Sequence, residues 1–285
     1  MAYADTPALT AQLRYIDWAA PWWRPWRAVG QRVAAQVADG LTLHAALNAE
    51  AASTLLATAP NTNTKTNTNT AAAAHAPYMQ FVTQAALPEG QAYEAFIFST
   101  GHVPTRENLH DFFNGLAWLV FPHTKRRLNQ LQAGEIQASG VQTTRGPLRD
   151  ALTLFDENAA LWPLAHGHTC PVLDALRAKD WQRACITLRS QWPANAPVLF
   201  GHALLEKLVT PYKSITAHVF TAQPAINSVA NSSLDQTVAQ LLHPGSLVPK
   251  PFTPLPVLGV PLWWAANAQA DFYQDAQVFR GPPAN

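Results

Sequence analysis

Charge is scarce in this chain. Only 13% of its 285 residues are Asp, Glu, Lys or Arg, about half the usual share near 25%, so the surface must rely on Asn, Gln, Thr, Ser and Ala. Nineteen basic against eighteen acidic side chains leave a formal charge of +1, and no global field is available to draw in nucleic acid or an anionic membrane. The one basic cluster, Lys125-Arg126-Arg127, reads as a solvated helix face. Cysteine is nearly absent. Cys170 and Cys185, fifteen apart, form neither a Cys-x-x-Cys pair nor a disulfide framework, which points to buried free thiols in a reducing compartment.

Long apolar runs are lacking too. The longest, Gly115 to Phe121, has seven residues, well short of the roughly 18 that span a bilayer, and reads as core helix. No basic segment followed by an apolar one and a small-residue cleavage site opens the chain, so a cytoplasmic protein is expected. Gly-x-Ser-x-Gly, Gly-x-x-x-x-Gly-Lys-Ser/Thr, Gly-x-Gly-x-x-Gly and His-Glu-x-x-His are also missing, which weakens the enzyme classes built on them.

What is present sorts into three parts. Residues 1–58 read as short helices around a strap, Trp18 to Trp26, with four tryptophans in nine positions; its prolines forbid a regular helix, so the indoles are expected to pack on the main body. Residues 59–77 alternate Asn and Thr and then run into alanines, a composition with nothing to bury, and read as a disordered insert. Residues 78–285 form the main domain. Its alternation of apolar-periodic stretches with Pro and Gly predicts a predominantly α fold with a few short strands, as a single compact helical domain. Five prolines between Pro249 and Pro261 and an aromatic tail predict an extended C-terminal strap.

Polar residues concentrate in a few places. Val103 to Asn114 packs Thr105, Arg106, Asn108, His110, Asp111 and Asn114 beside an apolar run. Polar groups at the edge of a core persist when hydrogen-bonded or paired, so the segment is either a structural network or a working site. With Pro104 at its entry, a helix is predicted from about Arg106 to Leu119, placing Arg106, His110, Asn114 and Ala117 on one stripe and Asp111 about 100° away. The second dense stretch runs from Arg145 to Asn158, where a helix would put Asp150, Thr153 and Glu157 on one face and Asp156 on another. A helix is predicted over Val198 to Thr210, bringing His202 and Glu206 one turn apart. That spacing suits a shared metal, an acid/base pair or a plain intrahelical hydrogen bond. Ser214 to Phe220 alternates like a strand bearing His218, and His166-Gly-His168 sits in a loop.

At Val103-Pro-Thr-Arg106, Asn108-Leu-His-Asp111 and Asn114, Arg145-Gly146, Arg149-Asp150-Ala-Leu-Thr153 through Asp156-Glu-Asn158, Gly201-His202-Ala-Leu-Leu-Glu206-Lys207, Ala217-His218, Trp263-Trp264 and Phe279-Arg280, the chain resembles a bacterial family catalogued as domain of unknown function 3025. In that family's pattern glycine follows the Asp-Glu-Asn triplet and precedes the Trp pair, where this chain has Ala159 and Leu262. The resemblance implies that these segments form one unit. It implies no activity.

The leading expectation is a hydrolase whose site gathers His110, Asp111, His202, Glu206 and His218. Arg106, Asn114 and Thr105 would bind a small-molecule substrate, and Arg149, Asp150, Asp156, Glu157 and Asn158 would support it. If a divalent metal takes part, His202, Glu206, His110 and His218 would ligate it and a bound water would be the nucleophile; without one, a His backed by a carboxylate would act as general base. The alternative is a non-catalytic binding or assembly protein in which the same residues form a buried network.

Overall fold

The computed structural model describes residues 8–58, 79–140, 146–223 and 233–281; the Asn/Thr insert and Arg145 lie outside them. In chain order the helices are α1 (Leu9–Leu13), α2 (Arg27–Ala38), α3 (Leu43–Thr58), α4 (Tyr93–Thr100), α5 (Leu109–Val120), α6 (Pro122–Ser139), α7 (Pro147–Asn158), α8 (Pro171–Arg177), α9 (His202–Lys207), α10 (Leu234–Leu241) and α11 (Pro244–Leu247). The strands are β1 (Gln80–Thr83), β2 (His102–Thr105), β3 (Ala159–Pro163), β4 (Val198–Leu199), β5 (Thr216–Ala222) and β6 (Thr253–Pro256). No described helix is long and apolar enough to cross a membrane.

The fold is α+β, which corrects the predominantly helical expectation. Among the described residues helix accounts for 56% and strand for 11%, but the strands build two sheets: a parallel pair, β1 with β2, and a mixed four-stranded sheet in the order β4-β3-β5-β6. The sheet was hard to read because β3, Ala159-Ala-Leu-Trp-Pro, is buried at its first four positions and so lacks a two-residue alternation. It also follows α7 with no intervening residue, and its apolar run merges with the helix's own. β4 was absorbed in the same way, since the predicted helix over Val198 to Thr210 proves to be a two-residue strand, a Gly201 corner and the six residues of α9.

The segment around β2 is corrected as well. Pro104 lies in the strand, opposite Val82 of β1, and the helix begins three residues after Arg106. Its true start is set by Asn108, whose side chain accepts from the Asp111 N–H at 2.8 Å as the N-cap. Arg106 therefore stands on the loop rather than on the helical stripe of His110, Asn114 and Ala117. From Asp111 to Trp118 every residue of α5 is buried, making this helix the axis of the core.

The tryptophan strap covers one side of that axis. Trp23 stacks on Phe113 with ring centroids 5.4 Å apart, and Trp26, fully buried, donates its indole N–H to the Leu199 carbonyl at 3.0 Å. The aromatic tail covers another part, with Phe272, Tyr273 and Phe279 buried against one another. At the turn into the Trp pair, Leu262 takes φ 69° and is 87% exposed. That left-handed conformation suits the glycine of the family pattern better than a branched side chain.

One backbone contact connects fold to site. The Gly201 N–H donates to the Ala159 carbonyl at 2.9 Å, and a Cβ at Gly201 would lie 2.4 Å from the backbone of Glu157 and Asn158. Only glycine allows α9 to start this close to the end of α7. Gly201→Ala should force the two helices apart and lower the unfolding free energy by about 1–3 kcal/mol, as read by urea denaturation, and should displace His202 from α7 in the same step.

Candidate functional site

A cavity of about 440 Å³ opens where α4, α5, α6, α7 and α9 meet, and its walls include Arg106, His110, Asn114, Arg149, Glu157 and His202. Behind it lies a charge that sequence spacing misassigned. Lys125 is 4% exposed, not part of a solvated face, and its ammonium donates to Asp156 Oδ1 at 2.6 Å and Asn114 Oδ1 at 2.9 Å. It also sits 5.4 Å from the centre of the Trp118 ring. A buried ammonium of this kind requires such partners. Asn114 passes the connection on, its amide donating to the Tyr93 hydroxyl at 3.1 Å, and that hydroxyl donates to the Pro104 carbonyl at 3.3 Å.

Asp156 thus points inward, on a different face from Asp150, which faces outward and pairs with Lys250. Burial works against the ionised form of Asp156, but Lys125, His202 and His110 outweigh it and hold its carboxyl below the usual range. The neighbouring Glu94 carboxyl, held by the Asn129 amide at 2.5 Å, is pushed up by burial despite Lys125 nearby.

Two histidines meet at the cavity wall. His110 Nδ1 lies 3.0 Å from Glu206 Oε2, His202 Nδ1 lies 2.8 Å from the Asp156 carbonyl oxygen, and the two Nε2 atoms are 3.1 Å apart. These contacts assign the protons. A carbonyl only accepts, so His202 carries hydrogen on Nδ1 and, when neutral, offers a lone pair at Nε2; His110 must then donate from its own Nε2. Facing the Glu206 carboxylate, His110 Nδ1 carries hydrogen too, which makes the ring an imidazolium. The electrostatics agree: the hydrogen bond to Glu206 raises the His110 pKa, while burial pushes His202 down to about 4.

Other expected site residues are placed as follows. Asp111 accepts from the Arg106 backbone N–H at 2.6 Å and from its Nε and Nη2 at 3.1 and 2.9 Å, so it neutralises Arg106 and fixes the loop. Thr105 is buried in β2 and donates to the Val103 carbonyl at 2.9 Å. Asn158 reaches outward to Lys207. His218 does not join the cavity; it lies edge-on to Phe252, its pKa lowered by burial and by Lys250 and Lys207. The four-ligand set of His110, His202, Glu206 and His218 is therefore not assembled, and among the described residues no three His, Cys, Asp or Glu side chains gather as a metal site.

Lys125, Tyr93, Glu94 and Asn129 were not foreseen as part of this region. Lys125, Asn129 and Gln132 do recur at helical spacing along α6, but a polar stripe on a helix reads the same whether it faces water or a buried carboxylate. Lys125→Met should cost about 3–5 kcal/mol in thermal or urea unfolding, because Asp156 is left buried and unpaired. Lys125→Met combined with Asp156→Leu should recover a large part of that loss.

Neither a curated protein nor a solved structure matches the chain. A family model described as "Protein of unknown function (DUF3025)" matches residues 79–282. That span is more than half of the chain and contains every cavity residue named above. The chain belongs to the DUF3025 family.

Proposed function

We propose that the protein is a hydrolase that uses His110 and His202 as an acid/base pair on a small molecule held in the cavity. The observation that carries this reading is the 3.1 Å approach of the two Nε2 atoms at the cavity wall. Two titratable groups whose surroundings push their pKa values in opposite directions divide naturally into an acid and a base. In the resting protein the His110 Nε2–H donates to His202 Nε2; a bound substrate would part the two rings and free the unprotonated Nε2 of His202, whose Nδ1 is tied to a carbonyl, to take a proton from water. His110, charged against Glu206, would deliver its Nε2 proton to the leaving group, and the proton gained by His202 would pass back to His110 when the rings meet again. Glu206 orients His110 and stabilises its charge, the service that a carboxylate behind an imidazole commonly provides. The cavity volume lies in the range of small-molecule sites.

A second reading, a non-catalytic binding or assembly protein, is favoured by the buried half of the network, in which Lys125, Asp156, Asn114 and Tyr93 are mutually satisfied. The two readings separate at His110. Its side chain is 37% exposed, so His110→Ala should leave the melting temperature nearly unchanged in either case. Under the hydrolase reading it should also lower turnover by about 10²–10⁴-fold, measured on a panel of small esters, amides and phosphate esters. If His110→Ala, His202→Ala and Glu206→Ala all unfold the protein, the catalytic reading is abandoned.

The proton assignment is testable without a substrate. In NMR titration His110 should titrate above and His202 below the ordinary value near 6.5, and Glu206→Gln should return His110 toward it. Stability should follow both shifts. The folded-state pKa of His202 is depressed, so its contribution is lost as pH falls from about 6.5 toward about 4; that of His110 is raised, so its contribution is full below about 6.5 and lost as pH rises through the raised value.

A further inference from the structure

Among the described residues, the cations around the cavity are paired, with one exception. Asp111 neutralises Arg106, Asp156 neutralises Lys125 and Glu206 neutralises His110. Arg149 also lines the cavity, from the first turn of α7, yet among the described residues it has no hydrogen-bond or ion-pair partner, and its Nε and Nη1 are sealed from solvent without an acceptor. Nη2 is the end that is not sealed. A guanidinium held this way has given up part of its hydration without receiving a counter-charge, an arrangement that costs stability until an anion arrives. Its planar fork is well shaped for a carboxylate or a phosphate.

The surrounding charges select between those two. Glu94, Asp156 and Glu157 share the walls with Arg149, so a phosphate dianion would bring two negative charges to a cavity with one unpaired cation. A carboxylate brings one. Position supplies a second constraint, because Arg149 and Asp156 stand on one face of α7 seven residues apart, roughly 10 Å along the axis, and Asp156 is the residue whose carbonyl holds His202. We propose that Arg149 is the anchor for a carboxylate-bearing small molecule whose reacting group lies about 10 Å away, beside His110 and His202. The position of the reacting group rests on the hydrolase reading, whereas the carboxylate anchor does not require turnover.

The experiment measures binding by calorimetry with 4-phenylbutanoate, a probe of suitable length, against its neutral primary amide. The intact protein should bind the acid at least tenfold more tightly than the amide. Arg149→Gln should remove that preference, Arg149→Lys should retain part of it, and the melting temperature of Arg149→Gln should stay level or rise, since an unpaired charge has been removed.

The inference is overturned if the intact protein does not favour the acid, if Arg149→Gln still does, or if Arg149→Gln lowers the melting temperature by several degrees, as loss of a structural residue would. Loss of turnover in His110→Ala without any acid preference would remove this inference alone. Acid preference in a protein with no hydrolytic activity would remove the hydrolase reading and leave the anchor standing.

Discussion

The buried ammonium of Lys125 is the interaction on which the rest of the site depends. A lysine excluded from water must find acceptors, and those available come from different elements: Asp156 on α7, Asn114 on α5 and the ring face of Trp118, one turn further along α5. Satisfying one cation therefore fixes the relative positions of α5, α6 and α7. Through Asn114 and Tyr93 it extends to α4 and the strand before the Arg106 loop. Asp156 in turn has two duties. Its carboxylate answers Lys125, while its carbonyl orients His202, so the charge that stabilises the interior also decides which nitrogen of the neighbouring imidazole is free.

The Gly201 corner completes this arrangement from the other side. Had any side chain stood there, α9 could not begin against the last turn of α7, and neither His202 nor Glu206 would meet His110. The histidines are thus positioned by a glycine and a carbonyl, features of the backbone rather than of the polar side chains that draw attention in the sequence.

That division explains what was legible beforehand. The dense polar stretches around His110 and Asp156 were visible from composition and spacing, as was the one-turn relation of His202 to Glu206. The two residues do not converge on a common ion; each reaches a different nitrogen of His110. Lys125 was invisible because its neighbours in sequence, Arg126 and Arg127, resemble a solvated face, and nothing local records that one of the three turns inward. His218 was misplaced for the converse reason. Its strand pairs with β3 and β6, a long-range fact that keeps His218 away from the cavity, whose lining includes no residue of that sheet. The four-stranded sheet itself was hidden because β3, one of its two inner strands, is apolar throughout.

The two ends of that sheet have a consequence for the protein in a crowded solution. Strands at an edge expose unused amides and carbonyls, an invitation to neighbouring chains. Here β6 lies at one edge with Pro254 and Pro256 in its register, and proline has no N–H to offer. At the other edge β4 is two residues long, and the Leu199 carbonyl is already taken by the Trp26 indole. A prolyl rim and an indole stopper leave little ladder on which a foreign strand could grow, so a chain poor in repelling charge is guarded against edge-to-edge aggregation by its backbone chemistry instead.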